Sequence, residues 1–134
     1  MEPTAVIERY LAQIADPGAG LDEIRALLHD EMRFVERPNL VSPAGSERDV
    51  AQILESVVHG RRLLSEQRFE VVDLLVAGGA VATRVRWTGT LAVDARPLPA
   101  GTRMEAHSAM WFTVRDGRIA RQENYDCFTA PSPP

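Results

Sequence analysis

Two long stretches of strand-forming sequence, residues 80–93 and 102–114, constrain the fold of this 134-residue chain more than any other feature. At roughly 3.3 Å per residue each strand would span about 40 Å, and strands of that length must twist and curl. The dipeptide Asp116-Gly117 is a strong hairpin signal after the second stretch. Four strands are predicted in the second half of the chain, over residues 68–77, 80–93, 102–114 and 118–128. We therefore expect one curled sheet of antiparallel hairpins.

The first half of the chain instead repeats its apolar residues at helical spacing. One predicted helix has the apolar face Val6, Ile7, Tyr10, Leu11 and Ile14, and the next has Leu21, Ile24, Leu27 and Leu28. A short strand over residues 32–37 and a loop over 38–45 follow. A third helix is predicted to begin at a capping box of Ser46 with Asp49 and to end at Gly60.

Helices followed by hairpins indicate an α+β fold. With the helices on its concave side, a curled sheet forms a cone, and the interior of a cone can hold a small molecule. The convex side then needs cover, for which a second copy of the chain is the simplest source. We expect a single domain over residues 1–128 and a disordered, proline-rich tail over 129–134.

The composition excludes several chemistries. All fifteen basic residues are arginine, so a catalytic or phosphate-binding lysine is impossible. The single cysteine, Cys127, and the isolated histidines His29, His59 and His107 lack the spacing of a metal site. A net charge of −4 without a stripe of arginines argues against a nucleic-acid partner. With no signal peptide and no apolar run of about 20 residues, we expect a cytoplasmic protein that needs no membrane, metal or other cofactor.

Four local sequences accompany this order of elements: RVRWTGT at 84–90, LPAG at 98–101, FTVRDGRI at 112–119 and NYD at 124–126. Together they resemble the nuclear-transport-factor-2-like (NTF2-like) superfamily, in particular its SnoaL-like polyketide cyclases and ketosteroid-isomerase-like enzymes. The resemblance covers about residues 4–128. It implies a cystatin-like α+β barrel, in which a cone-shaped mixed or antiparallel sheet wraps around three N-terminal helices. Because the superfamily hosts many reactions, the resemblance is more specific for fold than for activity.

The catalytic residues of ketosteroid isomerases carry over only in part. Arg9-Tyr10 resembles the pair whose tyrosine donates a hydrogen bond to the substrate oxyanion. The isomerase's general base, an aspartate before a proline, falls on Arg37, and its second oxyanion acid falls near Met110. The isomerase machinery is therefore incomplete in this chain.

The catalytic set of the limonene-epoxide-hydrolase-like enzymes is incomplete as well. Arg84 fits the arginine of that set, but Arg86 and Asn124 replace its two aspartates. The SnoaL-like cyclases use an aspartate on the last strand as base, and Asp126 lies close to that position. The resemblance therefore implies that Asp126 is the candidate base.

Strand alternation, aligned with the superfamily, predicts which side chains face the cavity. The predicted inward residues are Arg84, Arg86 and Thr88, then Ala106, Ser108, Met110 and Phe112, and then Gln122, Asn124 and Asp126. The residues predicted on the outer face are Val85, Trp87, His107, Ala109, Trp111, Glu123 and Tyr125. Because two tryptophans on an outer face suit a subunit interface, we expect a homodimer.

These residues support proton abstraction next to a carbonyl, as in isomerisation or aldol-type cyclisation. Asp126 is the candidate general base, Tyr10 donates to the developing enolate oxygen, and Arg84 or Arg86 offsets its charge. The candidate substrate-binding residues are Arg86, Asn124, Gln122, Met110, Phe112, Ser108 and Glu36. We therefore expect a cofactor-free isomerase or cyclase that acts on a hydrophobic, polyketide- or steroid-like molecule.

Three other interpretations stay open. An ion pair between Asp126 and an arginine would lower the pKa of the carboxyl and weaken it as a base, which would favour a non-catalytic small-molecule binding protein. The match at Arg84 also leaves an epoxide-hydrolase-like enzyme with an altered catalytic set. A domain used only for assembly has the least support.

Overall fold

The computed structural model describes residues 1–134 and contains three helices and six strands. The helices are α1 (Pro3–Ala15), α2 (Leu21–Ala26) and α3 (Val50–Leu63). The strands are β1 (Leu28–Glu36), β2 (Ser46–Arg48), β3 (Leu64–Ala77), β4 (Ala80–Leu91), β5 (Arg103–Arg115) and β6 (Arg118–Phe128). They form one sheet in the order β2-β1-β6-β5-β4-β3, in which only β1 and β6 run parallel. The predicted α+β fold, a curved mixed sheet around three helices, is confirmed.

The long strands β3 to β6 give the sheet its curvature. β3 begins at Leu64 rather than at the predicted Arg68, and it pairs with β4 along its length with a register shift between Val71 and Asp73. Such a bulge bends the strand and increases its twist. The turn between them uses Gly78 at φ +60°, a left-handed conformation that favours glycine. Because β2 and β3 remain as edges, the sheet curls into a cone without closing.

The helices pack into the concave face of the sheet. α1 buries residues that its sequence pattern predicted on one face, namely Val6, Ile7, Tyr10 and Leu11. They form one core with residues of the other helices and of the sheet, among them Ile24, Ile53, Val57, Val81, Val85, Met110, Phe112 and Ile119. Full burial of a large apolar side chain stabilises a fold by about 1.5–3 kcal/mol. This core therefore fixes the position of α1 and α3 on the sheet.

The third helix begins one turn later than predicted. Asp49, not Ser46, is its N-cap: the Asp49 carboxylate accepts from the backbone N–H of Gln52 at 2.9 Å, and the Gln52 side chain accepts from the backbone N–H of Asp49 at 2.9 Å. Ser46 instead begins the short strand β2, which pairs with β1. The helix also continues past Gly60 to Leu63. A three-residue strand is too short to produce a periodic signal in the sequence.

The second helix is shorter than its apolar pattern predicts. α2 ends at Ala26, and Leu28, predicted on the helix face, begins β1 with its side chain fully buried. The backbone N–H of Ile119 donates to the carbonyl of Leu27 at 2.9 Å, which joins this segment to β6. Sheet pairing therefore outweighs helical periodicity here.

The structure places the proline-rich residues 129–134, expected as a disordered tail, beside the start of β5. There the backbones of Ser132 and Arg103 exchange two hydrogen bonds of 2.9 Å. None of the three helices combines the length and the apolar character that crossing a lipid bilayer requires.

Replacing Asp49 by Ala is expected to destabilise the protein by about 1 kcal/mol, because the backbone N–H of Gln52 loses its acceptor. For a domain of this size the Tm should fall by roughly 2–6 °C in thermal unfolding. Glu55→Ala, which removes an exposed acid from the same helix, is the control and should leave the Tm nearly unchanged. Equal effects of the two substitutions would contradict the role of Asp49 as the cap.

Candidate active site

The concave side of the sheet holds two adjoining hollows that share Phe69, Met110 and Asn124 as walls. The larger, of about 240 Å³, is lined by Glu36, Val41, Leu63, Leu64, Phe69, Trp87, Leu91, Met104, Ala106, Ser108, Met110, Asn124, Asp126 and Phe128, and we call it the Asp126 chamber. The smaller, of about 170 Å³, is lined by Tyr10, Leu11, Ile14, Phe34, Ile53, Ser56, Val57, Gly60, Gln67, Phe69, Met110, Gln122 and Asn124, and we call it the Tyr10 chamber. The two volumes together reach the lower part of the range of roughly 300–1,000 Å³ that is typical of small-molecule pockets.

Three polar side chains follow one another along the inner face of β6, and we call them the β6 polar row: Gln122, Asn124 and Asp126. The Nε2 of Gln122 donates to Oδ1 of Asn124 at 2.9 Å. Ser108, the partner of Asp126 in the sheet, donates through its hydroxyl to Oδ1 of Asp126. The strand period of two places all three on the cavity side. A row of polar side chains therefore runs from one chamber into the other.

Asp126 is a partly buried carboxylate in a mostly apolar chamber. Burial raises the pKa of Asp126 above its ordinary value, while the hydrogen bond from Ser108 and the neighbouring Asn124 side chain lower it by a smaller amount. No arginine pairs with it, so the ion pair considered from the sequence does not form. A carboxylate with a raised pKa and only neutral partners fits the requirement for a general base near neutral pH.

Tyr10 occupies the end of the cavity next to α1. Its side chain is fully buried, and this desolvation raises the pKa of Tyr10 well above its usual value, against a smaller lowering by the charge of Arg48. The phenol is therefore neutral at physiological pH and acts as a donor. It lines the Tyr10 chamber, and its contact with a ligand stays a prediction.

The alternation predicted for β4 is wrong. Arg84 and Arg86 lie on the convex face, outside both chambers. Arg84 is 72% exposed and donates through Nε to Asp73 at 2.8 Å, and the Nε of Arg86 donates to Glu105 at 2.7 Å. The apolar pattern of the strand puts its small side chains inward, since two unpaired guanidinium groups in the core would be costly. Arg84 therefore cannot offset charge in the cavity, and Arg86 cannot bind a ligand there.

Val85 and Trp87 accordingly face inward, opposite to the prediction. Val85 belongs to the core, and Trp87 lines the Asp126 chamber, where its ring Nε1 donates to Oε1 of Gln67 at 3.0 Å. Gly89 makes room for the indole, because a Cβ at this position would lie 2.6 Å from the Trp87 ring. The sequence analysis predicts this tryptophan at an interface. The signal for an inward position is Gly89, which lies two residues after Trp87 on the same long strand and therefore on the same face.

The other predicted binding residues divide between the cavity and the core. Ser108, Met110 and Asn124 line the Asp126 chamber, as does Glu36, whose carboxylate accepts from the Ser46 hydroxyl at 3.3 Å. Gln122 lines the Tyr10 chamber. In contrast to the prediction, Phe112 is packed in the core and lines neither chamber. Sequence reasoning also missed Phe69, whose alternation with charged neighbours on β3 marks it as inward-facing.

The convex face carries exposed aromatic side chains on β5 and β6, where the predicted alternation agrees with the structure. Trp111 is 56% and Tyr125 is 44% exposed. The Tyr125 hydroxyl donates to Glu123 at 2.7 Å, and the guanidinium of Arg37 pairs with Glu123 at 2.7 Å and lies 6.0 Å from the Tyr125 ring. His107 is exposed on the same face. No group of three or more His, Cys, Asp or Glu side chains in the structure could hold a metal ion.

A curved sheet around a mostly apolar cavity, with the partly buried carboxylate of Asp126 in its wall, defines a small-molecule-pocket protein of the NTF2-like fold. The chain matches the SnoaL-like domain family over residues 7–122 and belongs to that family. The resemblance found in the sequence is thereby confirmed. No curated protein sequence matches the chain.

Several solved structures share the fold. IdmH of Streptomyces antibioticus, provisionally described as a polyketide cyclase, superposes with a TM-score of 0.78 at 22% identity, over 94% of this chain and 92% of that one. An epoxide hydrolase of the LEH-like type from M. tuberculosis gives 0.72 at 18% identity, over 94% and 83%. A protein of ketosteroid isomerase-like fold from Catenulispora acidiphila, solved with trimethylamine, gives 0.70 at 12% identity, over 90% and 83%. Identities this low establish the fold and leave the reaction to the residues of the site.

Replacing Asp126 by Asn is expected to raise the Tm at pH 7. Because burial raises the pKa of Asp126 in the folded protein above its unfolded value, the folded state loses stability as the pH rises from the unfolded pKa through the folded one. An uncharged Asn does not incur this loss. In thermal unfolding followed by circular dichroism, the Tm of the variant should exceed that of the wild type at pH 7. The two Tm values should be equal at about pH 3, below the ordinary pKa of an aspartate.

Asp73→Asn is the matched control and should behave with the opposite sign. Hydrogen bonds from Arg84 lower the pKa of Asp73, so its contribution to stability is present above the unfolded pKa and is lost as the pH falls through the folded one. This variant should be slightly less stable than the wild type at pH 7 and equal to it at low pH. The same pH profile for both variants would contradict the description of Asp126 as a buried carboxylate without a cationic partner.

Proposed function

We propose that the protein is a cofactor-free enzyme that removes a proton next to a carbonyl group of a hydrophobic, polyketide- or steroid-like molecule. The observation that carries the proposal is the Asp126 carboxylate, which lines an apolar cavity, has a pKa raised by burial and has no arginine beside it. Membership of the SnoaL-like family and the fold shared with IdmH support the same class of reaction.

In the proposed reaction Asp126 takes a proton from the carbon next to the carbonyl. The electron pair of the broken C–H bond moves into an enolate, and Tyr10 donates a hydrogen bond to the enolate oxygen. In an isomerisation Asp126 returns the proton to another carbon of the same molecule. In a cyclisation the enolate carbon attacks a second carbonyl, and the resulting alkoxide takes the proton back.

Asp126 and Tyr10 lie in adjoining chambers, which share Phe69, Met110 and Asn124 as walls. The proposal requires one bound molecule to reach from one chamber to the other, with its reacting carbon near the carboxylate and its oxygen near the phenol. Ser108 holds the carboxylate by a hydrogen bond, which restricts its direction before the substrate binds.

An epoxide-hydrolase-like reaction is less well supported. Its arginine would be Arg84, which lies on the convex face, and one of its two aspartates is replaced by Asn124. A non-catalytic binding protein would use the same cavity, and the experiment below distinguishes it from an enzyme.

Asp126→Asn should abolish proton exchange catalysed by the protein. With 1-tetralone in D₂O, the wild type should accelerate exchange of the hydrogens next to the carbonyl, measured by NMR. The exchange rate catalysed by the variant should be at least about 100-fold lower. Binding of 1-tetralone, measured by calorimetry, should persist because the apolar walls are unchanged.

Asp73→Asn is the control variant and should exchange at the wild-type rate, since Asp73 pairs with Arg84 outside the cavity. Wild-type protein that binds 1-tetralone without accelerating exchange would support the binding protein instead. Unchanged exchange in Asp126→Asn would eliminate this residue as the base.

We further propose that the protein is a cytoplasmic homodimer whose subunits meet through the convex face. Trp111 on β5 pairs with Glu123 and Tyr125 on β6 pairs with Ala109, so the two aromatic residues are diagonal neighbours there, and both are exposed in one chain. Exposed aromatic side chains of this size are enriched at subunit interfaces.

Light scattering at micromolar concentration should give about twice the chain mass of 14.8 kDa. Trp111→Glu should shift the mass toward one chain, because it places a charge in the apolar contact. Val93→Glu, at an exposed valine outside β5 and β6, is the control and should stay dimeric. A monomeric wild type would refute the interface.

A further inference from the structure

The hydroxyl of Tyr10 is a donor without a partner in the protein. The side chain is 1% exposed and lines the Tyr10 chamber, and no hydrogen bond contributes to its pKa. The unpaired polar side-chain atoms that are sealed from solvent belong to Gln13, Arg61 and Gln122, so the Tyr10 hydroxyl keeps a free surface. A buried donor that opens into a cavity requires an acceptor on the ligand.

Arg48 lies beside both chambers, on the short edge strand β2. It is the sheet partner of Phe34, so the two side chains share the concave face. The guanidinium lies 5.5 Å from the centroid of the Phe34 ring, and Phe34 lines the Tyr10 chamber. Its Nη2 lies 3.8 Å from Oε1 of Glu36, which lines the Asp126 chamber. The Arg48 side chain is only 30% exposed, so solvent screens its charge in part.

No other arginine is placed in this way. Several arginines form ion pairs or lie over an aromatic ring, but only Arg48 does so with residues that line the chambers. Arg48 is also the one charged side chain that affects the pKa of Tyr10, which it lowers against the larger effect of burial. Arg84 and Arg86, the cations predicted for the enolate, lie on the convex face.

The Tyr10 chamber itself carries no fixed charge. Tyr10 is the only ionisable residue that lines it, and α3 and β3 contribute neutral side chains. The carboxylates of Glu36 and Asp126 line the adjoining chamber. Negative charge on a ligand oxygen at Tyr10 therefore meets a neutral donor inside the chamber and one positive charge beside it.

We propose that Arg48 stabilises the negative charge that the substrate oxygen acquires beside Tyr10, by its own charge and through the hydroxyl of Tyr10. The inference rests on the proposed function, which places the enolate oxygen at Tyr10. Because Arg48 lines neither chamber, it is a positioning residue and does not touch the substrate. A fixed charge next to a water-poor cavity acts on a developing oxyanion more strongly than it would in water.

The test uses 1-naphthol, whose anion resembles the enolate of 1-tetralone in shape and charge. The pKa of the bound naphthol is measured from the absorbance of its anion. Arg48→Met should raise this pKa by at least about half a unit relative to the wild type, because the positive charge is lost. This rise equals an about threefold weaker preference for the anion. The affinity for neutral 1-tetralone, measured by calorimetry, should change by less than about twofold.

Two further substitutions of Arg48 separate its charge from its packing. Arg48→Lys keeps the charge and should keep the bound pKa close to that of the wild type. Arg48→Gln removes the charge with a polar side chain and should give the same rise as Arg48→Met. Arg84→Met, on the convex face, is the matched control and should leave the bound pKa unchanged. Tyr10 and Asp126 are present in every variant, so their own charges cancel in the comparison.

Glu36 needs a control of its own, because loss of Arg48 leaves its carboxylate without the nearby cation. In a Glu36→Gln background, Arg48→Met should still raise the pKa of bound 1-naphthol by a similar amount. A rise that disappears in this background would assign the effect to Glu36 and overturn the proposal. Equal bound pKa values in the wild type and Arg48→Met would overturn it as well, as would a wild type that does not bind 1-naphthol.

Proton exchange of 1-tetralone distinguishes this inference from the proposed function. Arg48→Met should lower the exchange rate at least about threefold, in step with the change in bound pKa. Exchange at the same rate in the wild type and Arg48→Met would refute the role of Arg48 and keep the proposed reaction. The expected change in bound pKa in a protein without exchange activity would keep the role of Arg48 toward an anionic oxygen and refute the reaction.

Discussion

The packing of α1 against the concave face of the sheet is the interaction on which the rest of the structure depends. Val6, Ile7 and Tyr10 are buried there, in contact with the core of the sheet. Because β3 to β6 are long and bent, a helix of 13 residues covers only one part of this face. The uncovered part becomes the cavity, and its walls are the same strands that build the core. The stability of the fold and the room for a ligand therefore both follow from the curvature of the sheet.

The arginines of the chain make the isolation of Asp126 informative. Four other carboxyl groups have shifted pKa values, and each of them has its pKa lowered with an arginine as a partner: Asp30, Asp73, Glu105 and Glu123. Asp126 alone among the shifted carboxyls has a raised pKa, and its partners are neutral. A carboxylate held in this state costs stability, and such groups cluster at functional sites. The contrast separates a candidate base from the surface ion pairs.

The sequence predicted well what depends on simple periodicity and poorly what depends on competing contacts. The bounds of β6 and the inward set on β5 and β6 agree with the structure, because the two-residue period is unbroken there. On β4 the alignment with the superfamily predicts the wrong side chains inward, whereas the local alternation of Val81, Thr83 and Val85, all of which are buried, indicates the right ones. β2 and the start of β1 arise from pairing with distant residues, which no local pattern encodes. The position of Arg48 beside the chambers likewise requires coordinates to detect.

The positions of the polar side chains in the cavity follow from one strand. The hydroxyl of Ser108 donates to Asp126 on β6, and Nε2 of Gln122 donates to Oδ1 of Asn124 on the same strand. Residues two apart on a strand lie on one face, so β6 carries the carboxylate to one chamber and the Gln122 amide to the other. A helix would place such residues on different faces, and a loop would leave them free to rotate. A strand is therefore the element that can connect the two chambers.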